Sequence, residues 1–207
     1  FKRTTDNQGN LLYTDILFYP KGLAKDKGGI IDNLPETLTT IGGAAFSNNP
    51  YITEIHIPAS VTLIDASAFA NCSHLKTLVF KAGGTTLKIG DYAFQNCTEL
   101  SLTLPAYTTE IGNYAFYDCD NLTSVTIGNS VTSIGDYAFE SGDNLQHVYY
   151  GGTEAQLSTL TIGPSSAGIV DAKRHYESDG SALQKYVRPV FSKARPMRGT
   201  AAMAPAP

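Results

Sequence analysis

The 207-residue chain lacks tryptophan, has only three cysteines and contains no long apolar run. A helix that spans a bilayer needs about 20 consecutive apolar residues, whereas the longest apolar stretch, around Asp15–Pro20, has the length of a strand. We therefore expect no transmembrane segment. The sequence begins at Phe1 without the basic and apolar regions of a signal peptide. We expect a mature form or a fragment, and a membrane tether such as a lipoprotein signal would belong to a missing N-terminus.

Basic side chains are scarce over most of the sequence. The range 1–170 carries 16 acidic and 8 basic side chains, whereas the range 171–207 carries 3 acidic and 7 basic ones. Recognition of a phosphate backbone requires clustered lysine and arginine. The acidic body therefore argues against a nucleic-acid partner, and the basic end is typical of a solvated tail.

Motifs that carry catalysis are also missing. The sequence contains no H-E-x-x-H, G-x-S-x-G, P-loop or dinucleotide-binding glycine pattern. The acidic stretch Asp118–Thr123 lacks the glycine and the bidentate glutamate of a calcium loop. We expect neither an enzyme nor a bound metal or cofactor.

One hexapeptide pattern recurs five times. The copies are IGGAAF ending at Phe46, IDASAF at Phe69, IGDYAF at Phe94, IGNYAF at Phe116 and IGDYAF at Phe139. An insertion in Lys81–Lys88 lengthens one interval between copies, and a deletion in Leu100–Pro105 shortens the next. Both changes lie outside the hexapeptide. A period of roughly 20 to 30 residues with insertions outside the repeated pattern predicts a solenoid.

Each unit also has a stretch of alternating apolar and polar residues. In Leu122–Ile127, for example, Val125 and Ile127 would lie on one face of a strand and the intervening polar residues on the other. The pattern thus predicts that each unit contains one parallel strand and a second short extended piece such as Val131–Gly135. At the Ala-Phe pair it predicts a tight or one-turn helical segment. Coils about 4.8 Å apart would stack equivalent side chains into ladders.

The cysteines occupy one column, three residues after the repeat phenylalanine: Cys72, Cys97 and Cys119. Stacked positions have parallel Cβ directions, which is poor geometry for a disulfide. Three thiols also lack the fourth ligand of a zinc site. We expect a buried ladder of reduced thiols that behave as small apolar groups.

These columns resemble the BspA-like, or Treponema-type, leucine-rich repeat, whose units read approximately L-x-x-V-x-I-P-x-x-V-x-x-I-G-x-x-A-F-x-x-C. Leu122–Phe139 matches nearly every fixed place, and Ile52–Cys72 differs mainly by Asp65 where glycine is usual. The resemblance implies a right-handed leucine-rich-repeat solenoid with one parallel strand per unit of about 23 residues. It also implies a secreted or surface-anchored bacterial protein whose repeats mediate adhesion or protein binding.

The resemblance also suggests how the chain is divided. Leu11–Gly22 looks like a degenerate first unit and Val148–Leu157 like a closing segment. We expect an N-terminal cap over residues 1–33, five repeats over 34–150, a C-terminal cap over 151–182 and a basic, proline- and alanine-rich tail over 183–207.

Two rows of side chains are candidate binding surfaces. The first alternates with the buried strand positions and should form one exposed sheet face: Glu54, His56, Thr77, Val79, Ser101, Thr103, Ser124, Thr126, His147 and Tyr149. The second lies two residues before the phenylalanine: Tyr92, Tyr114 and Tyr137, with Tyr117 nearby and Ala44 and Ser67 in the first two units. Tyrosine is favoured in interfaces, although these rings would also serve simply to cover the flank of the solenoid.

We therefore predict a non-enzymatic binding module on a bacterial cell surface, with a protein partner such as a host or extracellular-matrix protein. One alternative is an accessory subunit of a larger surface or outer-membrane assembly concerned with glycan or peptide nutrients. There the solenoid would be a rigid scaffold and the tail the attachment. A second is a glycan-binding protein, which the absence of tryptophan disfavours and the tyrosine row favours.

Overall fold

Alternating apolar residues form short strands, and equivalent strands of successive units pair in parallel. The computed structural model describes residues 2–5, 8, 11–140, 144–163, 166, 169 and 173–176. Its elements are, in chain order, β1 Lys2–Thr5, β2 Leu11–Ile16, α1 Lys21–Asp26, β3 Ile30–Ile31, β4 Thr40–Ile41, β5 Glu54–Ile57, β6 Leu63–Ile64, β7 Thr77–Phe80, β8 Leu87–Ile89, β9 Thr108–Ile111, β10 Ser124–Ile127, β11 Ser133–Ile134, β12 His147–Tyr150, α2 Glu154–Thr159, β13 Thr161–Ile162 and β14 Lys173–Tyr176. The tail predicted over 183–207 lies outside the described residues.

The strands form one long sheet and two short ones. The long sheet has the order β1-β2-β4-β6-β8-β9-β11-β13, and the short sheets are β3-β5-β7 and β10-β12-β14. Within them β1 and β2 pair antiparallel, and the other strand pairs are parallel. The predicted solenoid is confirmed, and the second extended piece of each unit pairs with its neighbours in the long sheet.

A ladder of stacked aromatic rings fills the interior. The five repeat phenylalanines are fully buried, and successive rings lie 4.8, 5.0, 5.2 and 5.1 Å apart between centroids. Tyr19 of the degenerate first unit stacks on Phe46 at 4.9 Å and so ends the ladder at the N-terminal side. Identical neighbours above and below explain why the same residue recurs in every unit of this column.

The Ala-Phe pair of each unit lies in a tight turn. The sequence allows two alternatives here, a tight turn and a one-turn helical segment. The residue before the alanine has a left-handed backbone in each of the five units, with φ between 55° and 59°. In the first unit the amide of Ala45 donates to the carbonyl of Gly42. A left-handed residue is incompatible with a right-handed helical turn.

The deletion in the fourth unit interrupts the exposed sheet face. Leu100–Pro105 forms no regular strand, and Ser101 makes only an isolated parallel bridge to Thr77. The prediction of one continuous exposed sheet is therefore wrong, because this unit has no regular strand on this face to pair with both of its neighbours. The alternation itself continues, with Leu102 and Leu104 buried and Ser101 and Thr103 exposed. The short sheets on either side of this unit are separate.

Candidate binding surface

The tyrosine ladder consists of Tyr92, Tyr114 and Tyr137. Their ring centroids are 4.9 and 4.8 Å apart, with interplanar angles of 6° and 15°. Tyr117 packs against Tyr114 at 5.5 Å with an angle of 60°. Tyr92 is 38% exposed, and the other three side chains are half-buried. The structure thus brings together all four tyrosines of the second predicted row.

The backbone under this ladder does not favour tyrosine. Tyr92, Tyr114 and Tyr137 have φ values of 59°, 55° and 56°, in the left-handed region. That conformation costs a residue other than glycine, asparagine or aspartate about 1–2 kcal/mol. Aromatic stacking returns about 0.5–1.5 kcal/mol per pair. The fold therefore gains little from tyrosine here, and Ala44 and Ser67 occupy the same position in the first two units with the same backbone.

Stacking also determines which part of each ring a partner can reach. Both faces of Tyr114 are covered, one by Tyr92 and the other by Tyr137. Burial, together with the neighbouring phenols and the carboxylate of Asp136, raises the pKa of Tyr114. Its hydroxyl therefore remains a hydrogen-bond donor at neutral pH. A sugar would need a free ring face for stacking, and the middle of this ladder offers none.

A column of three asparagines and one aspartate lies two residues after each of the first four repeat phenylalanines. It comprises Asn48, Asn71, Asn96 and Asp118, all with left-handed backbone. The amide group of Asn71 donates to the side-chain oxygen of Asn48 at 3.3 Å, and that of Asn96 donates to Asn71 at 2.7 Å. This column was not predicted from the sequence, although the preference of asparagine for left-handed backbone was a usable signal.

Asp118 ends this asparagine column, and burial, with the nearby charge of Asp120, raises its pKa. An ionised aspartate has no amide hydrogen to donate. It therefore cannot repeat the donor role that Asn71 and Asn96 play toward the preceding coil.

A third column, Asp91, Asn113 and Asp136, ties successive coils together. The Oδ1 of Asp91 accepts the amide hydrogen of Asn113 at 2.7 Å, and the Oδ1 of Asn113 accepts that of Asp136 at 2.8 Å. The Oδ1 of Asp136 is buried without a hydrogen-bond partner in the described structure. These side chains line an open groove of about 540 Å³ over the long sheet. The column mainly stabilises the stack.

The candidate residues of the strand row fall into two groups. One short sheet holds Glu54, His56, Thr77 and Val79, and the Nε2 of His56 is 2.6 Å from a carboxylate oxygen of Glu54. The other short sheet holds Ser124, Thr126, His147 and Tyr149, with the rings of the last two 6.2 Å apart. Thr103 is exposed but belongs to no strand. The row is therefore divided between two hydrogen-bonded sheets.

The three cysteines form the expected ladder of buried free thiols. Each Sγ donates to the carbonyl of a repeat phenylalanine in the preceding coil: Cys72 to Phe46, Cys97 to Phe69 and Cys119 to Phe94, at 3.1, 3.2 and 3.2 Å. Burial raises the pKa of Cys72 to about 11 and that of Cys119 to about 12, and raises the pKa of Cys97 well above its usual value. These are packing groups and not nucleophiles.

Apolar exposure is concentrated near the N-terminus. Four large apolar side chains within residues 17–30 reach solvent: Leu17 (61% exposed), Phe18 (65%), Leu23 (43%) and Ile30 (43%). Within the described ranges, no helix has the length and hydropathy of a membrane span, and no cluster of three or more histidine, cysteine or acidic side chains has the geometry of a metal site.

The fold matches solved structures of bacterial leucine-rich-repeat proteins. A leucine rich cell surface protein from Faecalibacterium prausnitzii A2-165 superposes with a TM-score of 0.62 and 24% identity over 77% of this chain. The leucine-rich-repeat protein of T. pallidum gives 0.55 and 22% over 79%, and the pneumococcal vaccine antigen PcpA gives 0.59 and 22% over 79%. The present chain spans 40%, 78% and 43% of those proteins.

Sequence comparison identifies the repeat itself. No curated protein matches the chain. The BspA type leucine rich repeat region matches in six copies over residues 31–97 and 84–161, which is well over half of the sequence. Together with the ladders of phenylalanine and cysteine described above, this match shows that the chain belongs to the BspA-type leucine-rich-repeat family.

Proposed function

We propose that this protein is a non-enzymatic binding module of a bacterial cell surface and that the tyrosine ladder is its contact surface for a protein partner. The main support is that three stacked tyrosines occupy left-handed positions where the backbone favours other residues. The family and the F. prausnitzii cell surface protein support the location.

Binding would rely on pre-organisation. Each tyrosine is held by its stacked neighbours, so little rotamer freedom is lost when a partner docks. Adjacent coils repeat the same contact at intervals of 4.8 to 4.9 Å. Several modest contacts then act together, and a host or extracellular-matrix protein is the partner that this arrangement suits. The covered faces of Tyr114 leave a sugar only the ends of the ladder for stacking, which disfavours a glycan partner.

The test replaces Tyr92, Tyr114 and Tyr137 with serine, the residue that Ser67 already provides at this position. The variant and the parent are applied to a panel of immobilised extracellular-matrix proteins, with a panel of polysaccharides beside it. A control variant replaces Thr77, Ser124 and Thr126 in the strand row with alanine. We expect the tyrosine variant to lose binding and the control to keep it. Unchanged binding by a correctly folded tyrosine variant would disprove the proposal.

A second candidate, a subunit of a larger surface assembly, is supported by the exposed apolar side chains within residues 17–30. Replacing Leu17 and Phe18 with serine should then abolish co-purification with the partner subunit from the native source. Deleting residues 183–207 tests the tail as the attachment. Retention of the same partner by both variants would exclude this role.

A further inference from the structure

Lysine and arginine are distributed very unevenly along the solenoid. Residues 1–88 contain eight basic and seven acidic side chains, whereas residues 89–172 contain no lysine or arginine and ten acidic ones. All of the tyrosine ladder falls in this second stretch. The coils that carry the tyrosine ladder therefore supply no lysine or arginine to neutralise their own acidic side chains.

Lysines from earlier coils reach two of these acidic residues. Lys76 pairs with Glu99 at 3.1 Å, and Lys88 pairs with Glu110 at 2.6 Å. The carboxylates within three residues of these tyrosines in the chain include Asp91, Asp118, Asp136 and Glu140. Across the described ranges, none of these four makes an ion pair with a lysine or arginine.

The turns that carry these carboxylates adjoin the tyrosine turns, and the carboxylate of Asp136 is close enough to Tyr114 to contribute to its raised pKa. Asp91 and Asp136 directly precede Tyr92 and Tyr137 in the sequence. The amide of Glu140 donates to the carbonyl of Tyr137 at 3.2 Å, and the amide of Asp118 donates to the carbonyl of Glu140 at 2.9 Å. We call this surface the tyrosine flank: the four tyrosines with Asp91, Asp118, Asp136 and Glu140.

We propose that the partner of the tyrosine flank is a basic protein segment in an extended conformation, with lysine or arginine at every third position. This inference rests on the proposed function and deepens it. Asp91 and Asp136 are two coils apart, about 9.6 Å at the usual strand spacing of about 4.8 Å. Three residues of polyproline II cover about 9.3 Å, so cations at i and i+3 would face one carboxylate each.

The tyrosines supply the second half of the recognition. Arginine and lysine bind the face of an aromatic ring, and arginine also forms bidentate hydrogen bonds with carboxylates. The outer face of Tyr92, the most exposed of these rings, and the tilted ring of Tyr117 are the positions where a guanidinium stacks. Anionic glycans, nucleic acid and acidic lipid headgroups are repelled by the same carboxylates.

The probe for the test is a fluorescein-labelled twelve-residue peptide with arginine at every third position in a proline-serine background. Binding is followed by fluorescence anisotropy at low and moderate salt. A second peptide has the same composition with its arginines adjacent, and a third has glutamate in place of arginine. We expect the first peptide to bind most tightly, with an affinity that falls as salt rises, and the glutamate peptide not to bind.

The matched variants each remove two carboxylates. Asp91→Asn with Asp136→Asn changes the tyrosine flank at the two carboxylates that would face the cations. Both changes keep an Oδ1 acceptor in this column, as Asn113 already does between them. Asp26→Asn with Glu154→Gln removes the same charge from two exposed positions outside it. Exposed ion pairs contribute about 0.2–1 kcal/mol each. We therefore expect the flank variant to bind the arginine peptide about 2- to 30-fold more weakly and the control to change less than about 2-fold.

The outcomes separate this inference from the proposed function. Equal weakening by the two variants would show a non-specific charge effect and overturn the inference, as would equal binding of the two arginine peptides. If the tyrosine-to-serine variant loses the matrix-protein partner while Asp91→Asn with Asp136→Asn keeps it, the tyrosine ladder is the site and the basic-segment inference is wrong. If the tyrosine-to-serine variant keeps its matrix partner, the proposed function itself fails.

Discussion

The buried thiol ladder should make this protein unusually sensitive to alkali. Cys72, Cys97 and Cys119 are fully buried and hydrogen-bonded to carbonyl groups of the preceding coil. Burial raises the pKa of Cys72 to about 11 and that of Cys119 to about 12. In the unfolded chain the same thiols would titrate near their usual pKa of about 8.5.

The direction and size of the effect follow from proton binding. Above about pH 8.5 the unfolded chain releases its thiol protons, while the folded chain keeps them until the pH passes the raised pKa. The unfolded state then binds fewer protons, so stability falls as pH rises. Each thiol lowers the free energy of unfolding by about 1.4 kcal/mol per pH unit in this window. The three together should remove roughly 4 kcal/mol between about pH 9.5 and 10.5.

Urea unfolding followed by circular dichroism, measured at several pH values from about 8 to 10.5, provides the assay. The control replaces the three cysteines with alanine, which leaves the titrations of tyrosine and lysine unchanged. The parent should lose stability more steeply than the control, and the difference between the two slopes should approach about 4 kcal/mol per pH unit. Parallel slopes for the two proteins would refute a buried, protonated ladder.

Three further substitutions test the packing. Phe116→Ala should lower the free energy of unfolding by about 3–5 kcal/mol, because the ring fills the interior between two stacked neighbours; a loss below about 1 kcal/mol in urea unfolding would contradict this cavity cost. Gly112→Ala should prevent correct stacking, since its Cβ would lie 2.6 Å from the amide nitrogen of Asp91, and a native melting temperature would rule out the close approach. Tyr92→Asn should change the free energy of unfolding by less than about 1 kcal/mol, because relief of left-handed strain offsets lost stacking; a larger loss would make the tyrosine a structural residue.

The sequence was sufficient to predict the interior of the coils. A parallel stack places each residue against its equivalents, so columns of identical residues such as Phe94 and Phe116 report directly on neighbours in space. The same logic predicted the stacked tyrosines and the reduced cysteines. Where a side chain packs against its equivalents in the neighbouring units, its contacts can be predicted without knowing which distant parts of the chain meet.

The turns and the edges could not be predicted in this way. The left-handed backbone at Ala44, Ser67 and the tyrosines has no signature in side chains as different as alanine and tyrosine. The deletion in Leu100–Pro105 was visible, but it leaves the alternation of buried and exposed side chains intact and removes the strand pairing, which the side-chain pattern alone does not report. The exposed face was therefore predicted as continuous, and the structure shows two separate sheets.

The distribution of tyrosine along its column separates function from fold. All five units have the same left-handed backbone at this position, and the first two satisfy it with Ala44 and Ser67. The stack therefore tolerates small residues, and packing alone does not require tyrosine in the last three units. Those three tyrosines also belong to the stretch without lysine or arginine. The fold requires neither tyrosine in this column nor the absence of lysine and arginine. Both features begin at the third unit, as expected if one partner contacts the tyrosines and the acidic side chains together.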